Sequence, residues 1–326
     1  MTAHPLAVDS PFRRSDAARL DPAKFRDPRF TAKGERRAVV PPAGLTTLWF
    51  NTGTLCNLAC ASCYIESSPR NDALVYLSAA EVAAYLDEVA AEALPVREVG
   101  FTGGEPFMNR DAVAMLRDAL ARGFDVLVLT NAMRPMRRFE RELLALREAH
   151  GARLTMRVSL DHHSRAVHEA ERGPGTWNKA WDGLGWLARH GFRVAVAGRA
   201  LPGEAEADAR AAYARLFAER ALPVDAADSS RLVLFPEMDE AADVPEISEG
   251  CWSILDLSPA SVMCASSRMV VKRRGESRPG VAACTLLPYD PGFDMGPTLA
   301  GAIRPVALNH PHCARFCVLG GASCSG

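Results

Sequence analysis

Three cysteines near the start of the chain have types and spacing suited to metal chemistry. Cys56, Cys60 and Cys63 follow the pattern C-x3-C-x2-C in the stretch CNLACASCY. Three thiolates this close together can hold one side of a [4Fe–4S] cube and leave the fourth iron open to an external ligand. An open coordination position indicates a catalytic rather than a structural metal site, as it does for zinc. A zinc knuckle is the alternative, but it requires a fourth ligand nearby, and the next histidine is the distant His150.

This loop resembles the signature of the radical S-adenosylmethionine (SAM) superfamily, including the aromatic Tyr64 after the third cysteine. The resemblance implies that SAM binds the open iron through its amino and carboxylate groups. Reductive cleavage of SAM would then give methionine and a 5′-deoxyadenosyl radical. The implied partners are a substrate and an electron donor such as flavodoxin or ferredoxin.

A second stretch, TGGEP at residues 102–106, resembles the GGE motif of the same superfamily, which contacts the methionyl amino group of SAM. Gly103 and Gly104 permit a close approach of the backbone. Glu105, followed by Pro106, offers a carboxylate that can accept a hydrogen bond from that amino group. Taken alone, the stretch is equally typical of a turn between a strand and a helix.

Two further stretches resemble the TN and S-x-D sequences of the peptide-modifying and cofactor-maturing branches. They place Thr130 and Asn131 at one strand end and Ser159 and Asp161 at the next. The resemblance implies that Ser159 hydrogen-bonds the carboxylate or the ribose of SAM. Helix capping by Asn131 and Asp161 is the alternative.

The stretch RGPGTW at residues 172–177 also resembles these branches. Arg172 is a candidate partner for the SAM carboxylate, because a guanidinium can bind a carboxylate bidentately; a Gly-rich turn before a helix is the alternative. Arg199 is a second candidate and can instead form a salt bridge at the barrel rim. No role is assigned to His162, His163 or His168, and no general acid or base is identified.

The other six cysteines lie in the last quarter of the chain, around a predicted β-hairpin. The arrangement resembles the SPASM or shorter twitch extensions, which carry auxiliary [4Fe–4S] clusters, although the tail reads C-x3-C-x6-C and departs from their usual spacing. The resemblance implies one auxiliary cluster. The favoured ligands are Cys264, Cys284, Cys317 and Cys324, with Cys313 close behind and Cys251 as an alternative. A structural zinc site or a redox pair stays open, because thiolates also bind zinc.

Strands and helices alternate between these motifs. The predicted strands are residues 45–51, 98–102, 125–130, 154–160, 192–200 and 231–235. Helices are predicted from a capping box at Ser78 and Glu81, and over residues 111–121, 135–150, 176–190 and 204–219. Such alternation favours a parallel sheet with right-handed crossovers. The pattern alone does not separate a barrel from an open sheet, but the motifs follow strand ends, where barrels collect their chemistry.

We therefore predict an α/β fold, a partial (β/α)6 TIM-like barrel with a Cys-rich extension of loops and a hairpin. The predicted domains are an irregular N-terminal arm at residues 1–44 with a short helix near residues 16–24, a core at 45–236 and the Cys-rich region at 237–326. The formal net charge of −1 provides no field that would attract nucleic acid or an anionic membrane. With neither a membrane span nor a signal peptide in evidence, we predict a cytoplasmic protein, where clustered thiols more often bind metal than form disulfides.

The predicted function is hydrogen abstraction from a substrate by the 5′-deoxyadenosyl radical. The resemblance implies a peptide or protein side chain, in a maturase-type modification. A small molecule, as in haem-type cofactor biosynthesis, is the alternative. A more remote alternative is a non-catalytic iron–sulfur or zinc protein.

Overall fold

The computed structural model describes residues 10–14 and 16–321. Within them, eight strands form one sheet: β1 (Thr47–Asn51), β2 (Glu98–Thr102), β3 (Asp125–Thr130), β4 (Leu154–Ser159), β5 (Arg193–Arg199), β6 (Leu232–Phe235), β7 (Ser267–Val271) and β8 (Gly280–Ala282). The strands pair in the order β6-β5-β4-β3-β2-β1-β7-β8. All neighbours are parallel except β7 and β8. The predicted α/β fold with a partial TIM-like barrel is confirmed.

The main helices alternate with the strands along the chain. They are α1 (Ala79–Ala91), α2 (Ala112–Ala121), α3 (Glu140–His150), α4 (Arg165–Arg172), α5 (Thr176–Arg189) and α6 (Glu206–Glu219). None of the helices in the described ranges has the length and apolar composition needed to cross a membrane.

Strand β1 lies in the interior of the sheet and is buried at every position. Its register pairs Phe50 with Phe101 of β2, and the two rings stack with centroids 5.6 Å apart. A strand covered on both faces favours apolar and aromatic side chains, as parallel sheets generally do. This packing fixes the point where β1 ends and the cysteine loop begins.

The predicted start of α1 is confirmed. The Ser78 hydroxyl accepts a hydrogen bond from the backbone N–H of Glu81 at 3.2 Å, and the Glu81 carboxylate accepts one from the Ser78 N–H at 2.8 Å. The Lys272 ammonium lies 2.5 Å from the same carboxylate. The cap therefore also ties α1 to the residue that follows β7.

Two helix predictions are wrong. Residues 135–150 form two helices, Arg134–Arg137 and Glu140–His150, because Phe139 leaves the helical conformation and its ring packs 6.1 Å from that of Phe107. The short helix predicted near residues 16–24 is a series of turns. The backbone there bonds to a distant segment instead, as the Leu20 N–H donates to the carbonyl of Ala241 at 2.8 Å.

The predicted C-terminal hairpin is present, formed by β7 and β8. It joins the main sheet, because β7 pairs in parallel with β1. A separate antiparallel pair links Val39–Val40 of the N-terminal arm to Val306–Ala307. The domain boundaries stay a prediction.

Candidate functional site

The three N-terminal cysteines lie in the loop that joins β1 to α1, and all three line one cavity of about 180 Å³. Burial raises the pKa of Cys56 to about 11 and that of Cys60 to about 12. Burial likewise raises the pKa of Cys63. In the absence of a metal the thiols are therefore protonated, and metal binding must offset the cost of forming thiolates.

Backbone donors already point at two of these sulfurs. The Leu58 N–H donates to Cys56 Sγ at 3.4 Å, and the Ser67 N–H donates to Cys63 Sγ at 3.3 Å. Hydrogen bonds to sulfur favour the charged thiolate. Three thiols on one cavity, two of them with amide donors, fit an iron–sulfur cluster that keeps one iron open.

Most of the other predicted residues also line this cavity. They are Tyr64, Gly103, Gly104, Thr130, Asn131, Ser159, Asp161, Arg172 and Arg199. Tyr64 comes from the cysteine loop, and the others come from the carboxyl ends of β2, β3, β4 and β5 and from the end of α4, so the parallel sheet gathers most of them at one edge. Glu105 and Pro106 are not among the residues of the cavity wall.

Glu105 is 1% exposed and is surrounded by donors of the protein itself. Its carboxylate accepts hydrogen bonds from the Asn131 N–H and the Thr130 hydroxyl, both at 2.8 Å, and from the Phe107 N–H at 3.2 Å. Burial outweighs these bonds and raises the pKa of Glu105 to about 7. The carboxylate joins the ends of β2 and β3; its contact with the SAM amino group stays a prediction.

The two glycines before Glu105 are required by the chain's own backbone. Gly103 has φ of +145°, a conformation that other residues rarely adopt. A Cβ on Gly103 would collide with the carbonyl oxygen of Gly53, and one on Gly104 with that of Leu55. The pair therefore lets the end of β2 lie directly against the segment that leads into Cys56.

Asn131 connects the end of β3 to the cysteine loop. Its amide Nδ2 donates to the side chain of Asn57 at 2.9 Å and lies 4.0 Å from Cys56 Sγ. Its Oδ1 accepts from the Met133 N–H at 3.1 Å, a local turn before the short helix Arg134–Arg137, whose N-cap is Met133. Asn131 therefore does not cap that helix, and its side chain instead holds the cysteine loop against the end of β3.

Asp161 and Arg172 form a bidentate ion pair. Arg172 Nε and Nη2 donate to the two carboxylate oxygens of Asp161 at 2.6 and 3.0 Å. Burial alone would raise the pKa of Asp161, but the adjacent Arg172 charge holds it below its ordinary value. The carboxylate that Arg172 binds in the structure is therefore that of Asp161. The contact of Arg172 with the SAM carboxylate stays a prediction.

Arg172 is the last residue of α4, a helix that the sequence analysis missed. The buried residues of α4 are His168 and Glu171, so no apolar periodicity marks its inner face. Gly173 and Gly175, with φ of +99° and +74°, form the expected turn before α5.

Arg199 forms the rim salt bridge weighed from the sequence. Its Nη1 lies 3.6 Å from the carboxylate of Glu171 and donates to the Ser62 hydroxyl at 2.6 Å. Glu171 and Ser62 both line the cavity, and sequence reasoning identified neither. The position of Glu171 directly before Arg172 was the one available signal, and it was weak.

His162 and His163 both contact Glu204, in the segment between β5 and α6. His162 Nε2 and His163 Nε2 lie 3.3 and 3.1 Å from the Glu204 carboxylate. His162 Nδ1 accepts a hydrogen bond from the Ser164 N–H at 3.0 Å, which leaves the ring proton on Nε2, facing Glu204. The His162 ring therefore donates a hydrogen bond from Nε2 to the Glu204 carboxylate. A metal ion could bind Nε2 only if it displaced this proton.

Four C-terminal cysteines line a second, smaller cavity, together with His312. They are Cys264, Cys284, Cys313 and Cys317. Burial raises the pKa of Cys264 to about 11 and raises that of Cys313 as well. Cys324 lies outside the described residues. Cys251 is not among the lining residues, and its sulfur accepts a hydrogen bond from the Ser248 N–H at 3.4 Å.

Comparison with known proteins identifies the family. The sequence model of the radical SAM superfamily matches residues 50–216, slightly more than half of the chain. The chain belongs to the radical SAM superfamily. Membership implies a [4Fe–4S] cluster and SAM, and the matched range contains the three cysteines of the first cavity.

Two curated relatives cover part of the chain. The antilisterial bacteriocin subtilosin biosynthesis protein AlbA of Bacillus subtilis is 32% identical over 143 residues, 44% of this chain and 30% of AlbA. The GTP 3′,8-cyclase of Rhodococcus opacus is 31% identical over 165 residues, 43% of this chain and 47% of the cyclase. The chain thus matches less than half the length of each relative.

Solved structures share the fold. Streptococcus suis SuiB bound to SAM superposes with a TM-score of 0.56 at 11% identity, covering 78% of this chain and 63% of SuiB. The structure of anSMEcpe with bound SAM gives a TM-score of 0.55 at 15% identity, covering 80% of this chain and 77% of anSMEcpe.

Proposed function

We propose that this protein is a radical SAM enzyme that cleaves SAM reductively and uses the resulting radical to abstract hydrogen from a substrate. The observation that carries the proposal is the first cavity, where three cysteines meet the carboxyl ends of five parallel strands. When bound, the cluster and SAM would supply a 5′-deoxyadenosyl radical able to attack an unactivated C–H bond.

The residues around the first cavity would bind the cluster and orient SAM. Cys56, Cys60 and Cys63 would bind the cluster, with the amides of Leu58 and Ser67 stabilising two of the thiolates. The Asp161–Arg172 pair fixes a guanidinium at the cavity wall. Its free donor edge is the candidate contact for the SAM carboxylate.

The wall contributed by the chain from Phe235 onwards is apolar. Phe235, Met238, Leu286 and Phe316 line the cavity, and the rings of Phe235 and Phe316 lie 5.5 Å apart. Apolar walls exclude water from a radical that would otherwise be quenched. Apolar walls also favour a substrate whose reacting group is an uncharged side chain.

We propose a peptide or protein side chain as the substrate class. Both arginines of the described cavity wall face carboxylates, since Arg172 pairs with Asp161 and Arg199 lies beside Glu171. A nucleoside triphosphate calls for several cations that are available to its phosphates. The partial match to AlbA, a protein of bacteriocin biosynthesis, supports the same choice.

A small-molecule substrate is the second candidate, and the partial match to a GTP 3′,8-cyclase favours it. The two are separated by incubating the anaerobically reconstituted protein and SAM with GTP or with short peptides encoded beside its gene. A mass change in a peptide, with formation of 5′-deoxyadenosine, supports the first. A product from GTP alone contradicts it.

The second cavity supports one auxiliary [4Fe–4S] cluster, which we propose is held by Cys264, Cys284, Cys313 and Cys317. Four thiols complete the ligand set of such a cluster. Replacing Cys313 by Ala should lower the iron content, whereas the matched change at Cys251, outside the cavity, should not. Equal iron content in the two variants contradicts this ligand set, and zinc in place of iron contradicts the cluster.

The radical SAM activity itself is tested by anaerobic reconstitution, reduction with dithionite and measurement of 5′-deoxyadenosine. The wild-type protein should form it, and the triple variant Cys56→Ala, Cys60→Ala, Cys63→Ala should not. The Cys251→Ala protein is the control. A wild-type sample that holds the iron of its first cluster yet never cleaves SAM overturns the proposal.

A further inference from the structure

Glu171, at the end of α4, holds the part of the cysteine loop between the second and third cysteines. Its backbone carbonyl accepts from the Ala61 N–H at 2.9 Å. Its carboxylate Oε1 accepts from the Ser62 N–H at 2.9 Å and from the Ser62 hydroxyl at 2.8 Å. One residue thus satisfies both backbone donors that lie between Cys60 and Cys63.

The N-terminal arm holds Glu171 in turn. The Ser10 hydroxyl donates to the other carboxylate oxygen, Oε2, at 2.6 Å. Both side chains are enclosed, since Ser10 is 4% exposed and Glu171 is 3% exposed. Because the two residues lie 161 positions apart, the contact exists only when the arm is packed against α4.

The arm also covers Arg199, the cation beside Glu171. The Phe12 ring is 1% exposed, and the Arg199 guanidinium lies 4.1 Å from its centroid. A desolvated cation–π contact at this distance stabilises the guanidinium in place. Arg199 donates to the Ser62 hydroxyl at 2.6 Å, so the contacts of Phe12 and Ser10 converge on the same loop residue.

We propose that Glu171 is the positioning residue for the cluster loop and that the N-terminal arm, through Ser10 and Phe12, is a working part of the active site. The inference rests on the proposed function, and it gives the arm a role. The arm fixes Glu171 and Arg199, these fix Ser62, and Ser62 sets the backbone between two cluster ligands. Partners of metal ligands in such outer positions typically affect metal affinity or activity 10- to 100-fold.

The experiment compares Glu171→Ala with Glu171→Gln in the anaerobically reconstituted full chain. The readouts are iron per chain, the electron paramagnetic resonance (EPR) spectrum of the reduced cluster with and without SAM, and the KM for SAM in 5′-deoxyadenosine formation. Alanine removes the acceptor for Ser62 and should raise the KM for SAM by about tenfold or more, with an altered EPR spectrum. Glutamine keeps an acceptor at Oε1 and should retain the wild-type iron content and spectrum.

The arm is tested by Ser10→Ala and Phe12→Leu, which change no residue of α4 or of the cysteine loop. Both should shift the EPR response to SAM in the same direction as Glu171→Ala, by a smaller amount. Arg14→Ala is the matched control, because Arg14 lies on the same arm, is 56% exposed at its side chain and faces Glu237. Arg14→Ala should behave as the wild type. If Glu171→Ala does not fold, Ser10→Ala and Phe12→Leu still test the proposal.

Two results overturn the proposal. One is an unchanged spectrum and KM in Glu171→Ala, Ser10→Ala and Phe12→Leu. The other is a Glu171→Gln protein with a normal spectrum but no turnover, which would make the charge of Glu171 part of the chemistry. Failure of the proposed function is a different result, namely a wild-type protein that forms no 5′-deoxyadenosine, and it leaves the iron and EPR comparison intact.

Discussion

The Asp161–Arg172 ion pair offers a quantitative test of how far burial determines the strength of a charge contact in this fold. Two hydrogen bonds of 2.6 and 3.0 Å join the groups, and the side chains are only 10% and 13% exposed. Removal of one partner leaves the other charge buried and uncompensated, which costs about 3–5 kcal/mol. In Asp161→Asn the new amide also places an N–H against a guanidinium donor.

We therefore expect Asp161→Asn to lower the free energy of unfolding by about 4 kcal/mol. In a chain of this size, that corresponds to a fall in Tm of roughly 6 °C. The assay is thermal unfolding of the anaerobically reconstituted protein, followed by circular dichroism. The double variant Asp161→Leu, Arg172→Met should lose less than the single variant, because no buried charge is left unpaired.

The matched control is Asp87→Asn. Arg122 Nη1 lies 2.6 Å from the Asp87 carboxylate, but that side chain is 69% exposed. Exposed pairs contribute less than about 1 kcal/mol. Equal falls in Tm for Asp161→Asn and Asp87→Asn would refute the reasoning from burial, since the shortest contact has the same length in both pairs.

Two further changes test other parts of the structure. Burial raises the pKa of Glu105 to about 7, so the unfolded chain ionises first and the folded state loses about 3 kcal/mol of stability as pH rises from about 4.5 to about 7. Urea unfolding of Glu105→Gln should lack this part of the pH dependence, and a parallel pH profile for variant and wild type would contradict it. Ser78→Ala removes the side-chain cap of α1 and should cost about 1 kcal/mol in urea unfolding, while Ser78→Thr keeps the hydroxyl and most of the stability; identical losses would show that the cap contributes nothing.

The local parts of this protein could be predicted from its sequence. The spacing of Cys56, Cys60 and Cys63 predicted a metal-binding loop, and the alternation of apolar runs with helical periods predicted a parallel α/β sheet without separating a barrel from an open sheet. The capping box of α1 was predicted for the same reason: the residues that interact are neighbours in the chain. Wherever a feature depends on such short-range spacing, the sequence carries a visible pattern.

The tertiary structure decided the contacts between distant residues. Only packing shows that β7 lies beside β1, that Cys313 lines the second cavity with the other three cysteines, and that Ser10 reaches Glu171. The physical reason is that buried polar pairs have no period: α4 turns His168 and Glu171 inward, where a hydrophobic pattern predicts nothing. The sequence thus determined which groups can do chemistry, and the fold determined which charges face one another around them.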